Sequence, residues 1–458
     1  MLLSTRSSGI KILLIYPNAD QEIIGSGDLG AIAEPLALEY IAAVCLSYTP
    51  NVRILDLRLH PGTLETELCA FQPDLVAVTG YSMHVLRMLE ICEVSKNLVR
   101  GVRTIIGGHH ATLLPEDFQV EQVDYIVKGE GTAPMRALLE QFDNQSPNAV
   151  PGVWRYGASG WTFGGEQGAF DLNSLPMPAR NLCLHDRQHY FIDWMRPIAL
   201  ARTTVGCPYR CSFCSLWRIM DGRYYRRDVE GVADELRAIE EPYVFLVDDE
   251  PFVNAKRMDA LADAISEGGI HKEYFSYCRI DTLLRNRSTM EKWVDIGLRR
   301  IFLGIEGITS REMVDFNKRL SIAQIEEGLA AARGMGIKVF ASFIVSPFYT
   351  RTEFNQLTRF IERNRIDYPS FTILTPLPGT EDYTKRYHEI TEWQPNGRPD
   401  WKKWDMQHLV LPSVLPRAVF EQEYTKLRRH FRGSYEIHQR KAGAARDAAT
   451  TNAAIGVC

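Results

Sequence analysis

The chain has 458 residues; 45% are hydrophobic and 24% charged, and 57 acidic against 52 basic side chains leave a net charge of −5. That composition excludes a wholly disordered chain, and the lack of a basic excess gives no pointer to nucleic acid. No apolar run reaches the roughly 18 to 20 residues that span a bilayer, and ILLIY near the start is too short for a secretory signal, so the expectation is a cytoplasmic protein. At about 150 residues per domain, two or three domains are expected.

Short β-branched runs alternate with helical stretches through residues 1–145. Strands are predicted at 10–16, 52–56, 75–80, 103–108 and 124–129, and helices at 35–47, 63–71, 84–98 and 132–142. Continuous apolar strands separated by helices predict an α/β fold, a doubly wound parallel sheet covered on both faces. Residues 146–197 read as a linker, with WRYGASGWTF as a small hairpin turning at GASG. Within 198–385 the runs PIALARTT, YVFLVD, YFSYCRI, RIFLGI, KVFASFIV and FTILTP alternate with helices, which predicts a partial (β/α)6 TIM barrel. Residues 386–432 are expected to form a small helical cap, with Phe420, Tyr424, Leu427 and Phe431 on one helix face. The tail 433–458 lacks large apolar residues and is expected to be disordered.

Nine cysteines, an odd number mostly scattered, argue against a disulfide framework. Cys207, Cys211 and Cys214 are instead crowded into one loop after a predicted strand. Soft thiolates suit an iron–sulfur cluster or zinc. Three donors hold three corners of a cubane and leave one iron open. A structural zinc site wants four protein ligands, and no partner pair follows at finger spacing, which makes zinc the lesser reading.

The spacing Cys-x3-Cys-x2-Cys, with Phe213 before the last cysteine, resembles the loop of the radical S-adenosylmethionine (SAM) superfamily. The resemblance implies a [4Fe-4S] cluster whose open iron binds SAM, and reductive cleavage of SAM to a 5′-deoxyadenosyl radical. It also implies SAM contacts for later segments. FLVDDEPF supplies Asp249 and Glu250 beside Asp248, YCRID supplies Arg279, and FLGIEG supplies Glu306. FTILTPLPGT supplies Pro376 at the adenine side. Each residue alone reads equally well as a helix cap or a barrel ion pair; their order behind the cysteine loop favours the SAM assignment.

A parallel sheet ahead of such a barrel resembles the cobalamin-binding, Rossmann-like arrangement. The candidate cobalamin residues are Thr79, Gly80 and Ser82 in VTGYSMH, Gly107, Gly108 and His109 in GGHHATLLPEDF, and Gly129 and Glu130 in VKGEGT. Glycine lets backbone approach a large flat ligand. One departure stands out. Arg58 occupies the place of the histidine that some cobalamin domains give to cobalt, with His60 two positions on. A guanidinium has no lone pair to donate, so histidine ligation is not expected and Arg58 is placed near the lower face.

The whole resembles cobalamin-dependent radical SAM methyltransferases, most of all the hopanoid C-3 methylase-like group, through CSLWRI, GRYYRR, VDDEPF and LVLPSVLP. It implies methylation of an unactivated carbon of a small molecule or lipid, by hydrogen removal followed by methyl transfer from methylcobalamin. It also implies a reductant such as flavodoxin or ferredoxin. A polar methyl transfer without a radical, a non-methylating oxidoreductase or cyclase, and a cobalamin- or SAM-binding sensor are the alternatives. Trp217, Tyr224, Tyr225, Trp401 and Trp404 are candidates for an apolar substrate cavity, with core packing favoured for most. Arg226 and Arg227 are read as surface ion pairs rather than anion ligands.

Overall fold

The computed structural model describes residues 9–20, 30–142 and 148–431. The expected disordered tail at 433–458 lies outside the described residues, as does the junction at 145.

The first lobe is a seven-stranded sheet. Its strands are β1 (Ile12–Tyr16), β2 (Val52–Asp56), β3 (Leu75–Gly80), β4 (Arg103–Gly108), β5 (Tyr125–Val127), β6 (Val153–Gly157) and β7 (Gly160–Phe163), in the order β2-β1-β3-β4-β5-β6-β7. The first five run parallel, and β6 and β7 are antiparallel. Alternation in β1 shows why both faces are covered. Leu13 and Ile15 enter the core shared with helices Leu64–Phe71 and Val85–Leu98, while Ile12 and Leu14 face helices Leu36–Leu46 and Thr132–Glu140. The hairpin expected in the linker does form, but it extends this sheet: Ile126 pairs with Trp154. The turn is shorter than GASG, since Gly157 and Gly160 already pair.

The second lobe is a six-stranded parallel sheet in sequence order: β8 (Ile198–Ala201), β9 (Tyr243–Leu246), β10 (Glu273–Cys278), β11 (Leu298–Glu306), β12 (Lys338–Val345) and β13 (Tyr368–Ile373). The two edge strands do not meet, so the barrel is open. Outward residues such as Val244, Ile301 and Phe343 pack on the surrounding helices. Inward residues form a ladder of rings, with Phe245 on Phe275 at 4.3 Å and Phe302 on Phe340 at 5.0 Å. The start of the first lobe's helix, Leu36 and Tyr40, packs into this inner cluster.

The C-terminal region is more than a cap. Trp401 and Trp404 are both 1% exposed and belong to the first lobe's core, not to a substrate cavity. Phe420, Tyr424, Leu427 and Phe431, on the helix over 417–431, join the barrel core instead. One short segment therefore fastens both lobes. Among the described residues, no helix is long and apolar enough to cross a membrane.

A buried ion cluster completes the joint. Glu34 accepts hydrogen bonds from Arg180, Arg187 and the backbone N–H of Leu200 on β8. Arg180 also donates to Glu235 at 2.7 Å and to the Leu200 carbonyl at 2.7 Å. Arg227 was read as a surface ion pair; it is 7% exposed and donates to Glu235 from within this cluster. Nearby Glu39 is fully buried, and burial pushes its carboxyl up to about 7 despite Arg180. Its folded value lies above its ordinary 4.5, so its contribution to stability is fully present below that value and is lost as pH rises through about 7. Glu39→Gln is therefore expected to raise the denaturant midpoint at pH 8 and to leave it unchanged near pH 4.5; unfolding curves at the two pH values check this.

Candidate functional site

The cysteine loop begins where β8 ends, and acidic residues at the end of β9 hold its entrance. Asp248 accepts from the backbone N–H groups of Thr203 and Thr204 and from the Thr203 hydroxyl, each at 2.6 Å. Asp249 accepts from the Gly206 N–H at 2.7 Å. Gly206 has φ +92°, and a Cβ there would fall 2.1 Å from the Arg223 carbonyl oxygen, so only glycine lets the chain turn here.

A second segment, which sequence reading did not single out, grips the loop from the other side. The Ser212 N–H donates to the Phe316 carbonyl at 3.2 Å and its hydroxyl to Asp315 at 2.8 Å. Asn317 donates to the Arg210 carbonyl at 2.7 Å. Asn317 and Arg319 carry φ of +48° and +55°, a strained path that places Lys318 between them. Lys318 is 4% exposed; its ammonium stands 3.5 Å from Glu306 and 5.8 Å from the Phe213 ring. The sequence signal was present in the paired polar residues of FNKR, but nothing local tied that turn to a loop a hundred residues earlier.

Of the predicted SAM residues, Phe213, Asp249, Glu250, Arg279 and Glu306 gather at this loop. Arg279 donates to Asp281 at 2.9 Å and to the Lys318 carbonyl at 2.8 Å, and its Nη1 lies 3.5 Å from Cys211 Sγ. Glu250 is 1% exposed and one of its oxygens has no hydrogen-bond partner among the described residues. Burial pushes its carboxyl up to about 7, against the pull of Arg279. Burial also pushes Glu306 up, against Lys318, and Ser342 donates to it at 3.3 Å. Phe213 packs edge-on to Phe316 at 5.4 Å. The Pro376 carbonyl accepts from the Trp404 indole at 2.9 Å, which fixes the loop after β13.

The donor set fits a cluster better than a single ion. Tetrahedral zinc holds its sulfurs roughly 4 Å apart. Among the described residues only His60, His185 and Asp186 bring three donor atoms within 4.8 Å of one another, and His60 and Asp186 are already hydrogen-bonded at 2.8 Å. Three thiols on one loop, with no fourth protein ligand among them, match a cubane held at three corners. Burial, with Glu250 and Asp249 adding to it, pushes Cys207 up to about 12, and burial pushes Cys214 up to about 11. These thiols need a cationic guest to become thiolates. The orphaned Glu250 oxygen likewise fits an ammonium donor such as the amino group of SAM.

The second candidate region is a cavity of about 680 Å³ between the lobes, within the range of ligand sites. Thr79, Gly107, Gly108, Gly129 and Glu130 line it from the strand ends of the first lobe. Arg202, Val205, Met220 and Tyr225 line it from the barrel side. Gly108 has φ +97°, and a Cβ there would lie 2.5 Å from Thr79 Oγ1. Glu130 turns its carboxylate to the N–H groups of Thr132 and Ala133 and starts a helix.

Four predicted residues stand outside the cavity wall. Arg58 is bound to Asp56 through Nε at 2.9 Å and Nη2 at 2.6 Å, and lies over the Tyr16 ring at 3.9 Å. Gly80 is filled from the side by His84, which a Cβ would meet at 2.8 Å. Ser82 is hydrogen-bonded to His110 at 2.9 Å. His109 reaches Ser215, one residue past Cys214, at 3.0 Å, and burial pushes it down to about 4, so it is a neutral tie between lobes. For Ser82 and His109 the neighbour that captures the side chain is distant in sequence, whereas Arg58 is held by Asp56 two residues before it and Gly80 is crowded by His84 four residues on.

Comparison with known proteins agrees with this division. The model of the B12 binding domain matches residues 24–139, and that of the radical SAM superfamily matches 202–361. Hopanoid C-3 methylase from Methylococcus capsulatus is 32% identical over 86% of this chain and 75% of its own length. Anaerobic magnesium-protoporphyrin IX monomethyl ester cyclase from Rubrivivax gelatinosus is 23% identical over 90% of this chain and 74% of its own. The solved structure of the cobalamin-dependent SAM radical enzyme OxsB with aqua-cobalamin has the same fold, with a TM-score of 0.70 at 14% identity over 93% of this chain and 72% of that one.

Replacing Gly108 by Ala forces a β-carbon against Thr79 in a backbone region that L residues avoid. The expected cost is about 1–3 kcal/mol of folding stability, measured by denaturant unfolding, with a smaller loss for Gly107→Ala, where the nearest atom would be 3.7 Å away.

Proposed function

The chain belongs to the cobalamin-dependent radical SAM enzymes, and from that premise we propose that it is a methyltransferase acting on an unactivated carbon. The observation that carries the reading is the shared cavity, with the glycine edge of the B12 domain on one wall and the segment leaving the cysteine loop on the other. In such an enzyme the cluster with SAM supplies one-electron chemistry that removes hydrogen from carbon, and cobalamin supplies the methyl group.

The residues of this chain do the holding. Cys207, Cys211 and Cys214 bind the cluster at three corners. Glu250 binds the amino group of SAM with its unpartnered oxygen, and Arg279, aligned by Asp281 and the Lys318 carbonyl, binds its carboxylate. Glu306, pinned by Lys318 and Ser342, and Pro376, fixed by Trp404, border the adenosyl part. Asp249 and the 315–319 turn keep the loop closed against water, and Phe213 with Phe316 adds an apolar seal. Thr79, Gly107, Gly108 and Gly129 offer cobalamin a wall without bulky side chains. The Arg58–Asp56 pair gives cobalt no nitrogen ligand from this position.

The likeness to hopanoid C-3 methylase supports an apolar, hopanoid-like lipid as substrate. The reductant is proposed to be a flavodoxin or ferredoxin, since the cluster must receive single electrons at low potential. Anaerobic reconstitution with iron and sulfide, followed by mass spectrometry with SAM, cobalamin and a candidate substrate, tests the reading. Expected are 5′-deoxyadenosine, S-adenosylhomocysteine and a product heavier by one CH2. Deoxyadenosine with no gain in product mass would replace the methyltransferase reading by that of a cyclase or oxidoreductase. Changing any one of Cys207, Cys211 and Cys214 to Ala is expected to lower bound iron from about four per chain towards zero and to abolish deoxyadenosine formation. Full activity in such a variant overturns the cluster assignment.

A further inference from the structure

We infer that Arg202 and Tyr40 form an anion site that holds the phosphodiester of cobalamin's nucleotide loop, so that one residue from each lobe closes on the same cofactor. This rests on the cobalamin reading above. Arg202 follows β8 and lines the interlobe cavity. Its backbone is fixed: its carbonyl accepts from Arg227 at 3.0 Å, and the next N–H is bound to Asp248 at 2.6 Å. Its guanidinium makes no hydrogen bond or close ion pair among the described residues, and its charge acts at longer range on Asp249. The other cations of the cavity differ. Lys128 pairs with Glu166 at 2.7 Å, Arg218 faces Glu381 at 3.8 Å, and Arg223 faces Asp221 at 3.8 Å.

Tyr40, on the helix Leu36–Leu46, lines the same cavity and is 2% exposed. Its hydroxyl has no hydrogen-bond partner among the described residues, a state that costs stability unless a ligand answers it. Burial, with Glu235 adding to it and Arg227, Arg202 and Arg180 opposing, pushes the phenol up to about 12, so it remains a donor at neutral pH. Two donors, one of them a full cation, line one cavity together with Gly107, Gly108 and Gly129. They fit a bulky ligand that carries an acceptor with negative charge. The corrin periphery carries neutral amides, and the phosphodiester is the cofactor's anionic group. A carboxylate or phosphate on the substrate would present the same chemistry, and cobinamide, the corrin without phosphate and base, separates the two sources.

The experiment is a spectral titration of the full chain with cobalamin and with cobinamide, in wild type, Arg202→Met and Tyr40→Phe, with unfolding curves as a folding control. Arg202→Met is expected to weaken cobalamin about tenfold to a hundredfold, the worth of a charge-assisted hydrogen bond, and to leave cobinamide affinity unchanged. Tyr40→Phe, a single-oxygen change that carries the test if Arg202→Met does not fold, is expected to act in the same direction by about threefold to tenfold. Unchanged cobalamin affinity in both variants, or an equal loss for both corrinoids, overturns the phosphodiester site. Wild-type protein that binds neither corrinoid would instead overturn the cobalamin reading itself.

Discussion

Glu34 is a carboxylate buried between two lobes, and the working arrangement of the molecule hangs on how its charge is answered. An isolated ion in that position would be prohibitively unfavourable. Arg180 and Arg187 come from the connecting segment, and the N–H of Leu200 comes from the barrel's first strand. The first lobe's helix and β8 are thereby held in a single relative position. Since the cysteine loop begins where β8 ends, the same contact sets the distance between the cluster loop and the glycine edge of the B12 domain.

The C-terminal segment reinforces that geometry by apolar means. Trp401 stacks edge-on against His110 at 4.6 Å in the first lobe, while Phe420 and Tyr424 enter the barrel core. Trp404 reaches back to Pro376. A chemistry that needs two large cofactors facing one substrate depends on such cross-bracing, because small errors of position are costly in rate.

Charge placement separates holding from binding. Most buried acids in the site are spent on the loop and the turn that grips it: Asp248 on Thr203 and Thr204, Asp249 on Gly206, Glu306 on Lys318. Glu250, Tyr40 and Arg202 are left with capacity that the described residues do not fill.

Local pattern sufficed for much of this protein. The runs at 52–56, 75–80, 103–108 and 338–345 form strands with the expected bounds, because continuous apolar stretches between helices leave a buried parallel strand as the remaining fit. The crowding of Cys207, Cys211 and Cys214 on one short loop is visible in the sequence itself, as is the Gly107–Gly108 pair, whose second member the structure holds at positive φ. Periodicity states that a face is buried but not against what. Only the tertiary structure could send Trp401 to the first lobe and Phe420 to the barrel, tie His109 to Ser215, or bring the 315–319 turn onto the cysteine loop. Those outcomes depend on which distant group supplies the opposite charge or the matching surface, and that information is spread over the whole chain.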